Sequence, residues 1–273
     1  MVTQEQRKRQ LAREKFLRQQ QRRTSARRKA RMRNSVIASV LGVIVIGSVA
    51  LYTTGVLKGD DDKSNASADV TPSASATSKA PDPCAKPAAG KIKTETWKKE
   101  PAVTIDKSAK YTMKLATTCG DIDIALKTSA APHTVNSFNF LASKGFFDHT
   151  KCHRLTTSGI YVLQCGDPTG AGSGGPGYTI PDENLKDTSL KGGIYPAGTI
   201  AMANTGQAHT GGSQFFLVYK DSTLPASYTP FGTISASGMK VLNKIAAAGE
   251  STGAGDGAPN ATVVINKATV TKS

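Results

Sequence analysis

An uncharged stretch of 22 residues, Val36 to Leu57, constrains this chain more than any other feature. It is rich in Val, Ile, Leu, Ala and Gly. A helix of this length, rising about 1.5 Å per residue, spans roughly 33 Å, which matches a hydrocarbon core of about 30 Å. We therefore predict that residues 35–57 form a single transmembrane helix.

A cleaved signal peptide is the alternative interpretation of this stretch. The apolar region of a signal peptide is about 7–15 residues long and follows a short charged region. Here the apolar stretch is longer, and residues 1–34 precede it. Both features favour an uncleaved anchor.

Positive charge is concentrated before the apolar stretch. Residues 1–34 hold thirteen Lys or Arg against Glu5 and Glu14, a net charge of +11 that leaves only +4 for the rest of the chain. Basic flanks stay on the cytoplasmic side, so we expect the N-terminus inside and everything after Leu57 outside. Basic runs can also bind nucleic acid. This arm has one aromatic residue, Phe16, and no recognisable fold, so we expect it to contact anionic lipid and no nucleic acid.

Residues 58–109 have the composition of a flexible tether. An acidic run, Asp60–Asp62, precedes a segment to about Gly90 in which Ser, Ala, Thr, Pro and Lys dominate. Such a segment buries too little apolar surface to offset the entropy lost on ordering. We therefore predict an extracytoplasmic linker at 58–109. Its later part, near Trp97 and Val103, is placed to dock on the domain that follows.

Residues 110–273 are rich in short strand signals. Tyr111–Thr118 and Ile122–Lys127 alternate apolar and polar residues across a turn, which predicts a hairpin. One helix is predicted with Pro132 in its first turn, ending at Gly145, and another near Met239–Ala248. Further strands are predicted at Cys152–Thr157, Tyr161–Cys165, Thr199–Ala203, Gln214–Tyr219, Phe231–Ile234 and Val263–Val270. Many short strands and two helices favour a mainly β fold with a closed barrel over a parallel α/β architecture.

Motifs for nucleophilic or metal chemistry are missing from the sequence. There is no Gly-x-Ser-x-Gly elbow and no Gly-x-x-x-x-Gly-Lys phosphate loop. The Gly-rich run at 166–177 lacks the strand-to-helix context of a phosphate loop, so we interpret it as a surface loop. His133, His149, His153 and His209 lack zinc-site spacing with each other or with cysteine. We expect neither a metal nor a cofactor.

Five strings in the second half of the chain carry the most specific signal. They are Cys152–Leu155, Tyr161–Asp167, Ala201–Thr205, Gly212–Phe216, and the group Leu224, Tyr228 and Phe231-Gly232. In this order and near this spacing they resemble the cyclophilin family of prolyl isomerases, from about Tyr111 to the C-terminus. The resemblance implies a closed eight-stranded antiparallel β-barrel capped by two α-helices. It also implies peptidyl-prolyl cis–trans isomerase activity.

That reaction needs no nucleophile. Rotation about an Xaa-Pro amide faces a barrier of about 18–20 kcal/mol but breaks no bond. A catalyst has to hold the proline ring and favour the twisted amide, whose nitrogen can accept a hydrogen bond. By resemblance, Arg154 is the catalytic donor, and Gln164 hydrogen-bonds the substrate backbone and helps to place Arg154. The substrate-binding residues implied by the resemblance are Tyr161, Val162, Ala203, Asn204, Gln214, Phe216, Leu224 and Tyr228.

Two insertions depart from the family pattern. Two additional residues between Arg154 and Gln164 leave open whether Ile160 or Tyr161 fills the proline pocket. Another residue is inserted near His209, between Asn204 and Gln214. Phe215, on the opposite strand face from Phe216, is predicted to be core.

Two substitutions also depart from the pattern. Thr223 stands where cyclosporin-sensitive members carry Trp, so we predict weak cyclosporin binding. Tyr228 stands where many members have His, and a ring with a polar tip can serve there. These departures keep an alternative open, a non-catalytic module that binds proline-containing peptides or acts as a holdase.

All four cysteines follow the predicted anchor, which fits an oxidising exterior. Cys152 and Cys165 lie on two consecutive strands that we expect to form a hairpin, a position that allows a cross-strand disulfide. Such a bridge would hold the residues of the predicted site in a fixed relation, and it would leave Cys84 to pair with Cys119. Four free thiols are the alternative.

The sequence thus predicts four segments: a basic cytoplasmic arm at 1–34, a transmembrane helix at 35–57, a flexible extracytoplasmic linker at 58–109 and a cyclophilin-like isomerase domain at 110–273. We expect a monomeric, single-pass protein of the cell membrane with its catalytic domain outside. Its expected partners are proline-containing polypeptides, and its expected role is to assist the folding of secreted or cell-surface proteins.

Overall fold

The computed structural model describes residues 81–273. The predicted basic arm, the predicted transmembrane helix and the first part of the predicted linker lie outside the described residues. Neither helix within 81–273 has the length and apolar character needed to span a bilayer. The division of the chain into four segments stays a prediction.

The described chain is mainly β, as predicted, with two α-helices. The strands are β1 (Tyr111–Thr117), β2 (Gly120–Leu126), β3 (Thr150–Lys151), β4 (Arg154–Thr156), β5 (Val162–Cys165), β6 (Ile194–Tyr195), β7 (Thr199–Met202), β8 (Phe215–Val218), β9 (Ser222–Thr223), β10 (Pro230–Ile234), β11 (Asp256–Gly257) and β12 (Val264–Lys272). The helices are α1 (Pro132–Ser143) and α2 (Ala236–Ala247), and a 3-10 turn covers Lys191–Gly193.

Ten strands form one antiparallel sheet that curls. Their order is β11-β4-β5-β8-β7-β10-β2-β1-β12-β3, while β6 and β9 form a separate pair. The curl arises between β3 and β4, where the chain changes partners. The Cys152 N–H donates to the Val263 carbonyl at 2.9 Å, beside β12, and the next N–H, of His153, donates to the Gln164 carbonyl at 3.1 Å, on β5. One bent segment thus contributes strands near both ends of the sheet.

The predicted closed eight-stranded barrel is wrong in strand number and in closure. Within residues 81–273 the end strands β3 and β11 do not pair with each other. The two-residue strands β3 and β11 account for the additional members of the sheet, and both lie outside the predicted strands. The antiparallel pairing and the presence of two helices are confirmed.

The two helices differ in the groups that accept hydrogen bonds from their N-terminal N–H groups. At α1, which starts with Pro132 as predicted, the distant Glu183 carboxylate accepts from the N–H groups of His133 and Thr134 at 3.0 and 2.8 Å. At α2, Ser235 is the N-cap, and its hydroxyl accepts from the Gly238 N–H at 3.0 Å. This cap starts α2 at Ala236, earlier than the predicted Met239, because the cap stabilises a first turn that carries few apolar side chains.

Strand β8 separates two apolar clusters. Side chains alternate across a strand, so Phe215 and Leu217 enter the main core, whereas Phe216 and Val218 enter a second, smaller cluster on the other face. The main core contains a group of packed rings, with the Phe138 and Phe215 centroids 5.6 Å apart. The prediction of Phe215 as core is confirmed, and the second cluster is where the predicted site lies.

Residues 81–109, here called the strap, have no helix or strand but lie against the domain. The Ala85 N–H donates to the Thr118 carbonyl, and the Thr104 N–H donates to the Asn136 side chain at 3.0 Å. The Trp97 ring meets Phe140 edge-on, with centroids 5.0 Å apart. The later part of the predicted linker therefore contacts the domain along its length.

Two disulfides complete the fold. Cys84 pairs with Cys119, which joins the strap to the turn of the first hairpin, and Cys152 pairs with Cys165. Both predicted pairs are confirmed, and the described residues contain no free cysteine.

Candidate active site

One row of side chains crosses four neighbouring strands. Arg154 on β4 lies opposite Gln164 on β5, Gln164 lies opposite Phe216 on β8, and Phe216 lies opposite Ala201 on β7. Residues opposite each other in antiparallel strands have Cβ atoms about 4.5–5.5 Å apart, on the same face of the sheet. The register therefore brings a cation, an amide and an aromatic ring together on the face away from the main core.

A cavity of about 110 Å³ opens above this row. It is lined by Arg154, Ile160, Val162, Gln164, Ala203, Asn204, Phe216, Leu224 and Tyr228. The apolar members form one continuous wall, and the guanidinium and two side-chain amides supply the polar groups. The structure thus brings together eight of the ten residues predicted as catalytic or substrate-binding.

Tyr161 is the predicted pocket residue that the cavity does not contain. Its ring lies 5.8 Å from the Tyr219 ring, and the Lys220 ammonium lies 4.5 Å from its centroid. Ile160 lines the cavity instead. Which of the two residues fills the proline pocket stays a prediction, and the lining of the cavity favours Ile160.

Gln214 is the other predicted residue outside the cavity, and it contacts Gln164, which lines the cavity. The Gln164 amide donates to the Gln214 side-chain oxygen at 2.9 Å, and the Gln214 amide donates to the Gly174 carbonyl at 3.0 Å. Arg154 Nη1 donates to the Gln164 oxygen at 3.2 Å. This chain of hydrogen bonds fixes which end of the Gln164 amide faces Arg154.

Asp256 is a site residue that sequence reasoning missed. Its two carboxylate oxygens accept from Arg154 Nε at 2.7 Å and from Arg154 Nη2 at 2.8 Å. This bidentate geometry matches the planar fork of a guanidinium, which Lys cannot reproduce. Arg154 is the one arginine in the chain after residue 33. The bidentate contact with Asp256 therefore depends on an arginine at position 154.

Charges around the guanidinium follow from these contacts. The hydrogen bonds from Arg154 hold the pKa of Asp256 below its usual range, and those to Asp256 raise the pKa of Arg154. The neighbouring His153 has its pKa lowered, mainly by burial and further by Arg154. A neutral imidazole leaves Arg154 as the cation at this end of the cavity.

Tyr195, which the sequence did not indicate, shapes the far side of the cavity. It is fully buried, and its hydroxyl donates to the Tyr228 carbonyl at 2.8 Å and accepts from the Tyr228 N–H at 3.2 Å. The Tyr228 ring then meets Phe216 edge-on, with centroids 5.4 Å apart. On the same side, the Asn204 amide donates to the Ser227 carbonyl at 2.8 Å. These bonds fix the loop that closes the apolar wall.

A larger groove, about 870 Å³, continues from the cavity and shares Gln164, Ala203 and Asn204 with it. The Gly-rich run forms part of its lining. In that run the buried Asp167 carboxylate accepts from the N–H groups of Gly172 and Ser173, so the run is an ordered loop. No cluster within residues 81–273 has three candidate metal ligands.

Comparison with known proteins gives the same picture. The family model described as cyclophilin type peptidyl-prolyl cis-trans isomerase/CLD matches residues 112–270. A probable peptidyl-prolyl cis-trans isomerase B of Mycobacterium leprae is 47% identical over 195 residues, which cover 68% of this chain and 62% of the relative. Its namesake in Mycobacterium tuberculosis strain H37Rv is 46% identical and is covered to 59%. The chain therefore spans about three fifths of the length of these relatives.

Two further matches cover most of the length of the matched protein. A peptidyl-prolyl cis-trans isomerase of Helicobacter pylori is 39% identical over 156 residues, covering 56% of this chain and 88% of the relative. The crystal structure of a cyclophilin type peptidyl-prolyl cis-trans isomerase of Cryptosporidium parvum is 26% identical with a TM-score of 0.50, covering 60% of this chain and 99% of that chain. A second crystal structure of that protein, solved in the presence of the dipeptide Ala-Pro, has the same TM-score at 27% identity.

Proposed function

Because the chain belongs to the cyclophilin type peptidyl-prolyl cis-trans isomerase family, we propose that its folded domain catalyses cis–trans rotation about Xaa-Pro bonds in polypeptides. The observation that carries the proposal is that the Arg154 guanidinium and the Phe216 ring line one cavity. A proline ring held against Phe216 would therefore lie in the same cavity as this cation. The two side chains needed for the reaction therefore act on one bound residue.

Arg154 supplies the hydrogen bond that distinguishes the twisted amide from the planar one. A guanidinium has five N–H donors, and three of them are engaged by Asp256 and Gln164. One N–H on each terminal nitrogen remains for the substrate. As the amide twists, resonance is lost and its nitrogen becomes a hydrogen-bond acceptor, so a fixed donor stabilises the transition state more than the ground state.

The other residues hold the substrate while one end turns. Phe216, Leu224 and Tyr228 enclose the ring, and the Gln164 amide, fixed by Gln214, is placed to hydrogen-bond the peptide backbone. The protein of known structure that was solved with Ala-Pro supports an Xaa-Pro unit as the ligand. Thr223 is exposed beside Leu224, and weak cyclosporin binding stays a prediction.

We place this activity on the outer side of a cell membrane. The apolar stretch at 36–57 and the basic arm before it support a single-pass anchor with its N-terminus in the cytoplasm. Two disulfides support an oxidising compartment. Secreted and cell-surface polypeptides that contain proline are the substrates that such a location would supply.

The test is an isomerase assay on the full-length chain in detergent micelles. We expect Arg154→Ala to lower kcat/KM on an Xaa-Pro peptide about 10²- to 10³-fold, the usual effect of removing one fixed donor to a transition state. Arg154→Lys keeps the charge but loses the planar fork, so it should restore little activity. NMR exchange spectroscopy measures the rotation without a coupled protease.

Circular dichroism is the control that makes the result decisive. Asp256 has a side chain 55% exposed, so it returns to water when Arg154 is removed, and circular dichroism should show an unchanged fold. An unchanged kcat/KM in Arg154→Ala contradicts the proposed mechanism. Peptide binding by the wild type without faster exchange supports a non-catalytic binding module or holdase instead.

A further inference from the structure

One wall of the groove beside the cavity comes from the strap and not from the sheet. Lys98, Lys99 and Glu100 line the groove together with the Gly-rich run and Gln214. All three strap residues precede residue 112, where the match to the family begins. This wall is therefore an addition to the part of the chain that defines the family.

The two lysines lie between fixed points. On one side, the Trp97 N–H donates to the Pro176 carbonyl at 2.8 Å, and the Trp97 ring packs on Phe140. On the other side, a Glu100 carboxylate oxygen lies 2.7 Å from His133 Nδ1. At Gly177 a Cβ would lie 2.9 Å from the Trp97 carbonyl oxygen, so the strap and the Gly-rich run are in close contact. The backbone of Lys98 and Lys99 thus has a set position at the groove.

The charge that faces this groove is positive. Its charged lining residues are Lys98, Lys99 and Glu100, so two ammonium groups stand against one carboxylate, which lies 2.7 Å from His133 Nδ1. Behind the Gly-rich run, the carboxylate of Asp167 is saturated by hydrogen bonds from the loop. Both lysines are exposed, and neither has an ion pair or hydrogen bond among residues 81–273. Two ammonium groups are therefore available to a peptide in the groove.

We propose that Lys98 and Lys99 make this domain prefer Xaa-Pro sites that are flanked by acidic residues. The inference rests on the proposed isomerase function, because the groove continues from the proline cavity through Gln164, Ala203 and Asn204. A polypeptide whose proline occupies the cavity passes along the lysines. Carboxylates in its flanking residues gain attraction there, both on approach and in the bound state.

The preference can be measured with three peptides that share one Xaa-Pro centre. One peptide carries Glu, one Ala and one Lys at the second and third positions from the Xaa-Pro centre on each side. The enzyme is the full-length chain in detergent micelles. We expect kcat/KM to be about three- to tenfold higher for the Glu peptide than for the Ala peptide at low ionic strength. The difference should shrink at 1 M salt, where the screening length is about 3 Å.

Two double variants locate the effect. Lys98→Glu with Lys99→Glu should reverse the preference, so that the Lys peptide becomes the best substrate. Lys86→Glu with Lys91→Glu makes the same change in charge on exposed strap residues that do not line the groove, and it should keep the preference. Equal loss of the preference in both double variants would overturn the assignment to the groove.

The Ala peptide separates this inference from the function on which it rests. If the wild type accelerates all three peptides equally, the acidic preference is wrong and the isomerase function stands. If the wild type accelerates none of them, the proposed function itself is wrong.

Discussion

Two regions of the same sheet differ in strand length and in what covers them. Strands β1, β2 and β12 have seven, seven and nine residues, and the side chains of β1 and β2 alternate between buried and more exposed positions. Strands β4, β5, β7 and β8 have three or four residues, and all residues of β7 and β8 are buried. We call these the long-strand region and the site region.

The difference shows where a site can form on a curled sheet. In the long-strand region one face of the sheet packs on the core and the other faces water, so each strand buries side chains on one face only. In the site region the outer face carries a second apolar cluster around Phe216, which leaves room for a cavity. Adjacent residues of β8 therefore serve different purposes, with Phe215 in the core and Phe216 in the cavity wall.

The largest effect should come from mutating Phe215 and Phe216 one at a time. Phe215→Ala removes a fully buried ring packed on Phe138 and Phe147, so we expect the free energy of unfolding to fall by about 3–5 kcal/mol. Phe216→Ala opens a wall of an existing cavity and should cost less stability. It should lower kcat/KM about 10- to 100-fold, because the proline ring loses its main apolar contact.

Denaturation followed by circular dichroism and by Trp97 fluorescence measures the stability, and the isomerase assay measures the activity. Trp97 is the one tryptophan of the chain, so its emission reports on the strap. Phe215→Leu serves as the core variant if Phe215→Ala does not fold. Equal losses of stability and activity in the two positions would mean that the faces of β8 are not functionally distinct.

The two disulfides offer a second way to separate the regions. Cys84 and Cys119 are 35 residues apart, and Cys152 and Cys165 are 13 apart. Loop-closure entropy predicts that replacing each pair by Ala costs about 4 and about 3 kcal/mol of unfolding free energy. Only the second pair encloses Arg154 and Gln164, so we expect kcat to fall severalfold when it is lost and to stay near wild type when the first is lost.

Thermal unfolding and initial rates on the two double variants check this expectation, at a temperature where both remain folded. A fall in kcat that is the same for both pairs would show that activity follows overall stability. It would then give no support for a local role of the bridge between Cys152 and Cys165.

The long-strand region could be predicted from the sequence because its pattern is local. The alternation in Tyr111–Thr118 and Ile122–Lys127 predicts the hairpin, and the register of the two observed strands confirms it. In the site region the predicted residues came from the resemblance to a family, since short strands buried on both faces have no clear period. Phe216 could be placed in the cavity wall by that route.

What the sequence could not reveal depends on distant pairing. Asp256 is 102 residues from Arg154 and lies on a two-residue strand, which no periodic pattern marks. Tyr195 lies on another such strand. The choice of Ile160 over Tyr161 is set by β5, where Val162 pairs with Val218, and an insertion before that strand hides the register.

The smallest effect is predicted for removing an exposed ion pair, and one pair from each region is compared. Asp256 holds Arg154 in the site region, and Asp121 pairs with Lys114 at 2.7 Å in the long-strand region. We expect Asp256→Ala to lower kcat/KM about three- to tenfold, since the guanidinium loses two of its three hydrogen bonds, and to change unfolding free energy by no more than about 1 kcal/mol. Asp256→Asn can still accept one hydrogen bond and should recover part of the rate. Asp121→Asn should leave kcat/KM unchanged.

A pH profile tests whether the Asp256 carboxylate acts in its charged form. Arg154 holds the pKa of Asp256 below its usual range, so the pair is present above the unfolded-state value of about 3.9 and is lost only as pH falls through the lower folded-state pKa. The ratio of kcat/KM between wild type and Asp256→Asn should therefore stay constant from pH 7 to about pH 4. If the ratio already falls between pH 5 and pH 4, the carboxylate titrates at or above its ordinary value of about 3.9, and Arg154 does not hold it in its charged form. A constant ratio, with no effect of Asp121→Asn, assigns the loss to the orientation of one guanidinium and not to the charge of the domain.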